Sequence, residues 1–291
     1  MTQDSSLRRM ASRLAARGRA LKMPQPVRPD PAMIDRLASE FGVSSPVMSD
    51  FVKRFSPAMV SPNQFQANSD TMLFVHIPKT AGMSVGKALQ QTFDHFYGVE
   101  WNNAGASFRK LARRAAYMQS RANVRQVIIG HYGWAEIQFW HNQELPVKSG
   151  TILRDPVQRM ISNFNYNSSE AHPAHKDFIK RHPTIEGYIG STDFDVQLTQ
   201  AIGMVSSFED VLRKLTAYYS FIGVTERLGQ SLSYLSRSHG LPPIQEYHAN
   251  VGSKPAEELS ESVRQLILDR NHNDCKIHAL MMHLYAAADS A

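Results

Sequence analysis

Four short runs of β-branched and apolar residues, 71–77, 125–130, 150–154 and 220–224, recur along the chain with helical patterns between them. Runs this short, without polar alternation, suit strands buried on both faces, as in a parallel sheet covered by helices. The intervals read as amphipathic helices at 84–96, 107–121, 156–165, 208–219 and 227–238. In the first of these, Val85, Ala88, Leu89, Thr92, Phe93 and Phe96 fall on one stripe. Strand, helix and strand in this order predict an α/β fold with a doubly wound parallel sheet flanked by helices. Residues 256–287 add two more helices.

The 291 residues, 42% hydrophobic, suffice for one good-sized core, so the reading is one main domain at 66–291 with an N-terminal helical extension at 1–65. Residues 8–28 carry Arg8, Arg9, Arg13, Arg17, Arg19, Lys22 and Arg28 with no acid among them. They read as a solvated tail, with a transit peptide or a basic arm making weak membrane-surface contact as alternatives. Pro24, Pro26, Pro29 and Pro31 mark 23–31 as a linker, and 33–55 as short helices. Within them, Leu37-Ala38-Ser39-Glu40-Phe41-Gly42-Val43-Ser44 superficially resembles a helix-turn-helix, which makes DNA binding one alternative function. The second helix offers only Lys53 and Arg54 as cations beside Asp50, a poor nucleic-acid surface, so no nucleic-acid partner is expected. No run approaches the roughly 20 apolar residues of a membrane span, and Cys275 is the only cysteine, which excludes an intrachain disulfide. The expectation is a cytoplasmic protein. Its net charge of +6 favours an anionic ligand without choosing one; oligomeric state is not legible.

Phe74-Val75-His76-Ile77-Pro78-Lys79-Thr80-Ala81-Gly82-Met83-Ser84 is an apolar strand running through a tight loop into a helix. Backbone N–H groups at such a helix start, with the positive end of its dipole, form a phosphate cradle. Gly82 allows close backbone approach, and Thr80 and Ser84 offer hydroxyls. The loop is P-loop-like, but Lys79 precedes Gly82, whereas a Walker A lysine follows its last glycine.

Thr151-Ile152-Leu153-Arg154-Asp155-Pro156 repeats the strand-to-helix turn, with Asp155 suited to cap the helix and Pro156 to its first position. Arg154 stands at a strand's carboxyl end, where α/β proteins bind ligands, and Ser162 lies about two turns into the helix. An arginine fork and a hydroxyl make a second phosphate site. Two such sites on neighbouring strands predict a ligand with two separated phosphate groups. Arg159 is a weaker candidate for the same phosphate, since an exposed cation is the default reading of a helical arginine.

Residues 76–84 resemble the 5′-phosphosulfate motif I-P-K-T-G-G-T-S of Golgi-type carbohydrate sulfotransferases, and 153–162 resemble their 3′-phosphate motif L-R-D-P-V-x-R-x-x-S. Ile129-Gly130-His131, the Glu226-Arg227-Leu228 segment, and the loop 250–255 resemble further family segments, in the family's order across roughly 70–286. The resemblance implies 3′-phosphoadenosine 5′-phosphosulfate (PAPS) as sulfuryl donor, no metal, and an acceptor hydroxyl on a carbohydrate. It assigns Pro78, Lys79, Thr80, Ala81, Gly82, Met83, Ser84, Arg154, Ser162, Ser253 and Lys254 to the donor. Ala81 and Met83 depart from the usual glycine and threonine. Asp195 to Thr199 resemble a segment near the acceptor, which implies Gln197 and Thr199, with His131, as acceptor contacts.

Sulfuryl transfer needs in-line attack and neutralisation of the leaving oxygen, a task for Lys79. It also needs a base for the hydroxyl proton; His131, at a strand's carboxyl end beside a glycine, is the best in the sequence. His76 reads as supporting structure, and Glu136 as a weaker rival base. The cations and histidines of 167–200, including His172, His175 and His182, read as a basic lining rather than a metal site. A nucleotide kinase built on the same loop is the other alternative.

Overall fold

The computed structural model describes residues 29–59, 61, 64, 71–99, 110, 111, 113, 114, 117, 124–142, 147–247 and 259–289. The basic arm at 8–28, Arg109, Ser253 and Lys254 lie outside the described residues.

Among the described residues two helices come first, α1 (Pro31–Phe41) and α2 (Ser45–Phe55). Asp30 accepts the Ala32 N–H at the start of α1, and Gly42, at φ +68°, ends it in the left-handed conformation that glycine adopts without strain. Their apolar faces, Ile34, Leu37 and Phe41 and then Met48, Phe51, Val52 and Phe55, join the main core. Phe41 stacks on Phe208 with ring centroids 5.8 Å apart. Arg54 turns inward and donates through Nε to the Tyr219 carbonyl, so it serves packing rather than a surface.

The central layer follows as β1 (Thr71–Val75), α3 (Gly82–Thr92), β2 (His95–Val99), β3 (Gln126–Gly130), α4 (Trp134–His141), β4 (Val147–Leu153) and α5 (Pro156–Ser168). Three short helices, α6 (His175–Arg181), α7 (Ile185–Ser191) and α8 (Val196–Ile202), precede α9 (Phe208–Tyr218), β5 (Tyr219–Val224), a 3-10 turn (Thr225–Arg227) and α10 (Leu228–His239). The chain closes with α11 (Glu261–Arg270) and α12 (His272–Asp289).

All strand pairs are parallel, in the order β2-β3-β1-β4-β5. Every residue of β1, β3 and β5 is buried, as continuous apolar runs require. The four expected strands are present; β2 was not expected. It is an edge strand whose side chains are mostly half-buried, and its Phe96 continues the helical stripe of α3 closely enough to disguise the boundary. The described residues of the predicted helix 107–121 are helical.

From β1 the chain leads through α3 to one side of the sheet, and from β4 it continues to β5 on the other. The carboxyl ends of β1 and β4, paired in register with Val75 opposite Thr151, therefore flank the switch point where α/β sheets open a crevice.

Gly130 ends β3 opposite Val99, and a Cβ there would sit 2.3 Å from the Val99 carbonyl oxygen. Gly130→Ala should therefore lower the unfolding free energy by about 1–3 kcal/mol through backbone overpacking. Urea unfolding monitored by circular dichroism checks this, and an unchanged midpoint would contradict the tight β2–β3 approach.

Candidate active site

The loop after β1 is wound by its own bonds. The Thr80 hydroxyl donates to the Ile77 carbonyl at 2.8 Å, closing the turn, while Lys79 (φ +72°) and Ala81 (φ +61°) both take left-handed conformations. For side chains with a Cβ this costs on the order of 1–2 kcal/mol per residue. The return is a concave run of backbone N–H groups feeding directly into α3, the geometry of an anion nest. Ser84 is buried in the first turn of α3, Pro78 is half-buried and Met83 is exposed. Gly82 also meets a second need: a Cβ at this position would lie 1.6 Å from Nε2 of His76. The missing side chain makes room for an imidazole.

At the end of β4, Arg154 reaches across the switch point and donates from Nη1 to the Lys79 carbonyl at 3.0 Å. The turn after β1 and the turn after β4 are thus joined. Asp155 caps α5 by accepting the Gln158 N–H, and its own N–H donates to Glu226. Glu226 is held in turn by His278 at 3.0 Å, and the Thr225 hydroxyl donates to the Leu153 carbonyl. The Glu226-Arg227 segment is therefore scaffolding for the Arg154 turn. Ser162 is half-buried two turns along α5. Arg159 departs from expectation: it is 3% exposed, with Nη1 facing the Met160 sulfur, because α5 is packed against α6, α7 and α11 around a second buried cluster.

Lys79 and Arg154 both titrate below their usual values. Burial is the main cause for each, and for Lys79 the Arg154 charge adds to it. The Lys79 ammonium also lies 4.2 Å from the centre of the Tyr166 ring, a cation–π contact. Two half-buried cations held side by side are costly alone and are relieved by a bound polyanion, so the residues present fit a ligand of the bisphosphate type.

His131 follows β3 and stacks on His76, with ring centroids 4.2 Å apart. Its Nδ1 lies 3.0 Å from the His76 carbonyl oxygen. A carbonyl only accepts, so Nδ1 carries a proton; in the neutral ring Nε2 then keeps the lone pair, the tautomer a general base requires. Burial, then the His131 ring and the Lys79 charge, push His76 down to about 3, which keeps that ring neutral. Glu136, the rival base, gives its carboxylate to the Gly133 N–H at the start of α4.

The segment expected near the acceptor is placed as follows. The Gln197 side chain is 1% exposed and bonded at both ends to the Arg154 backbone, while the Thr199 hydroxyl donates to the Phe194 carbonyl. His175 turns its Nδ1 to the His172 carbonyl, and Phe178 packs beside α5 with Tyr188 and Ile189. These stretches build a second small core. Sequence patterns could not reveal Gln197 and Gln200 as supports, because their partners lie far away in the chain.

A family model described as "Sulfotransferase family" matches residues 62–279. The chain belongs to this sulfotransferase family. That membership separates sulfuryl transfer from the kinase chemistry that the loop alone leaves open. No curated protein matches the sequence of this sulfotransferase. Among solved structures, a mouse sulfotransferase complexed with PAP aligns with it at 14% identity over 74% of this chain and 91% of that one, with a TM-score of 0.31. No helix among the described residues of the sulfotransferase is long and apolar enough to cross a membrane.

The depressed His76 value makes stability pH-dependent. The unfolded chain binds a proton at this residue near 6.5 and the folded chain only near 3, so its contribution is present above 6.5 and is lost as pH falls through that window. His76→Asn should flatten the fall of unfolding free energy between those pH values by up to one proton's worth, about 1.4 kcal/mol per pH unit. Urea titrations at stepped pH measure the slope; equal slopes in both proteins would refute a neutral buried His76.

Proposed function

We propose that this sulfotransferase moves the sulfuryl group of PAPS to a hydroxyl on a carbohydrate. The observation that carries the reading is the hydrogen bond from Arg154 to the Lys79 carbonyl, which joins two anion-binding strand ends into one crevice beside His131. The donor, when bound, supplies the sulfuryl group and an adenosine 3′,5′-bisphosphate leaving group. The nest of 78–84 holds the 5′ end through backbone donors, with Ser84 in the first turn of α3. Arg154 and Ser162 hold the 3′-phosphate, and Ser253 and Lys254 complete the donor contacts. Lys79 holds a positive charge where the departing oxygen becomes negative, an interaction that strengthens as the bond breaks and therefore lowers the barrier itself. His131, with Nδ1–H committed to the His76 carbonyl, takes the acceptor proton at Nε2. Carbohydrate as acceptor is supported by the resemblance of 76–84 and 153–162 to carbohydrate-sulfating enzymes. Thr199 belongs to the acceptor side on the same grounds.

A sulfate-transfer screen from labelled PAPS against glycans and small alcohols tests the acceptor class; transfer to alcohols with none to any glycan would overturn it. Lys79→Ala should slow single-turnover transfer by about 10²–10³-fold while changing bisphosphate affinity far less. An effect confined to affinity would remove its leaving-group role. His131→Gln should abolish transfer with bisphosphate binding intact, and turnover near the parent rate would place the base elsewhere.

A further inference from the structure

We propose that α8 is a two-armed brace that sets the donor grip and the base at a fixed separation, with Gln197 and Gln200 as its positioning residues. The two side chains are three residues apart and so leave the helix on one face. Gln197 Oε1 accepts the Arg154 N–H and its Nε2 donates to the Arg154 carbonyl, each at 2.9 Å. This closed pair of bonds fixes the backbone from which the guanidinium reaches Lys79. Gln200 Nε2 donates to the carbonyls of His76, at 3.1 Å, and Tyr132, at 3.3 Å. The first is the same carbonyl that takes the His131 Nδ1 proton, and the second belongs to the residue after His131. One helix thus holds the residue that grips one end of the donor and the two residues that frame the base.

The brace is itself anchored. Both oxygens of buried Asp274 accept N–H groups at the start of α8, from Gln197 and Leu198, at 2.9 Å. Asp195, just before α8 and at φ +44°, returns the arrangement by accepting from the Asn273 and Asp274 N–H groups and the Asn273 side chain at the start of α12. Two carboxylates capping each other's helix lock α8 to the C-terminal helix. Buried, and with both amide ends committed to Arg154, Gln197 acts on the donor through that residue instead of contacting an acceptor.

This inference rests on the donor and base assignments above, and its test separates the two levels without needing the acceptor. Calorimetry gives the ratio of affinities for adenosine 3′,5′-bisphosphate and adenosine 5′-monophosphate, which isolates the 3′-phosphate. Proton–nitrogen NMR of the histidine rings reads the His131 tautomer, assigned by its loss in His131→Gln. Gln197→Met, similar in volume, should lower the affinity ratio by about tenfold and leave the tautomer signal in place. Gln200→Met should leave the ratio unchanged and give His131 a mixture of tautomers. Either variant moving both readouts, or moving neither, overturns the brace. Gln197→Glu, which keeps the acceptor for the Arg154 N–H, answers the same question should Gln197→Met not fold. Arg154→Ala is the control: an unchanged ratio there sinks the donor assignment itself, whereas a lowered ratio there with none in the Gln197 variants sinks the brace alone.

Discussion

Parallel pairing of β1 with β4 sets two strand-to-helix turns side by side, and the bond from the Arg154 guanidinium to the Lys79 carbonyl ties them together. A hydrogen bond from a charged group contributes about 1.5–3 kcal/mol, but it brings two cations together in a half-buried place. The arrangement is therefore incomplete without negative charge, and the backbone donors of the Lys79 loop face the same need. Left-handed Lys79 and Ala81, the Thr80 bond to Ile77 and the Glu226 support of Asp155 fix the two turns in place around these cations. Preorganised donors of this kind spare a sulfotransferase reorganisation at the moment of reaction.

The histidine pair solves a different problem. A histidine beside two cations can serve as the proposed base only if it stays neutral and presents the correct nitrogen. The His76 carbonyl settles the second requirement by accepting from Nδ1 of His131, and the His76 ring, buried and neutral, covers the base without adding charge. Gly82 is part of the same device, because any side chain there would expel that ring. One glycine thus links the Lys79 loop to the histidine pair.

Much of this was legible because the informative patterns were local. The strand runs, the Lys79 loop and the Asp155-Pro156 cap each lie within about a dozen consecutive residues, where periodicity and turn chemistry speak directly. Strand β2 escaped because an edge strand needs no continuous apolar run, and its Phe96 fell on the helical stripe. Arg159 was misplaced because an arginine within a helix is normally solvated; here the satellite core of Phe178, Tyr188 and Val263 covers it.

By itself the sequence determined the α/β order, the two strand-to-helix turns that carry Lys79 and Arg154, and the histidine at a strand end, since each depends on neighbours within one or two turns of chain. The tertiary structure decided that the two turns meet, which nitrogen of His131 faces the His76 carbonyl, and that Gln197 grips Arg154 across 43 residues while Asp274 anchors Gln197 across 77. The physical reason is that a buried amide or carboxylate must find a partner, and only the folded chain determines which backbone group is close enough to be one.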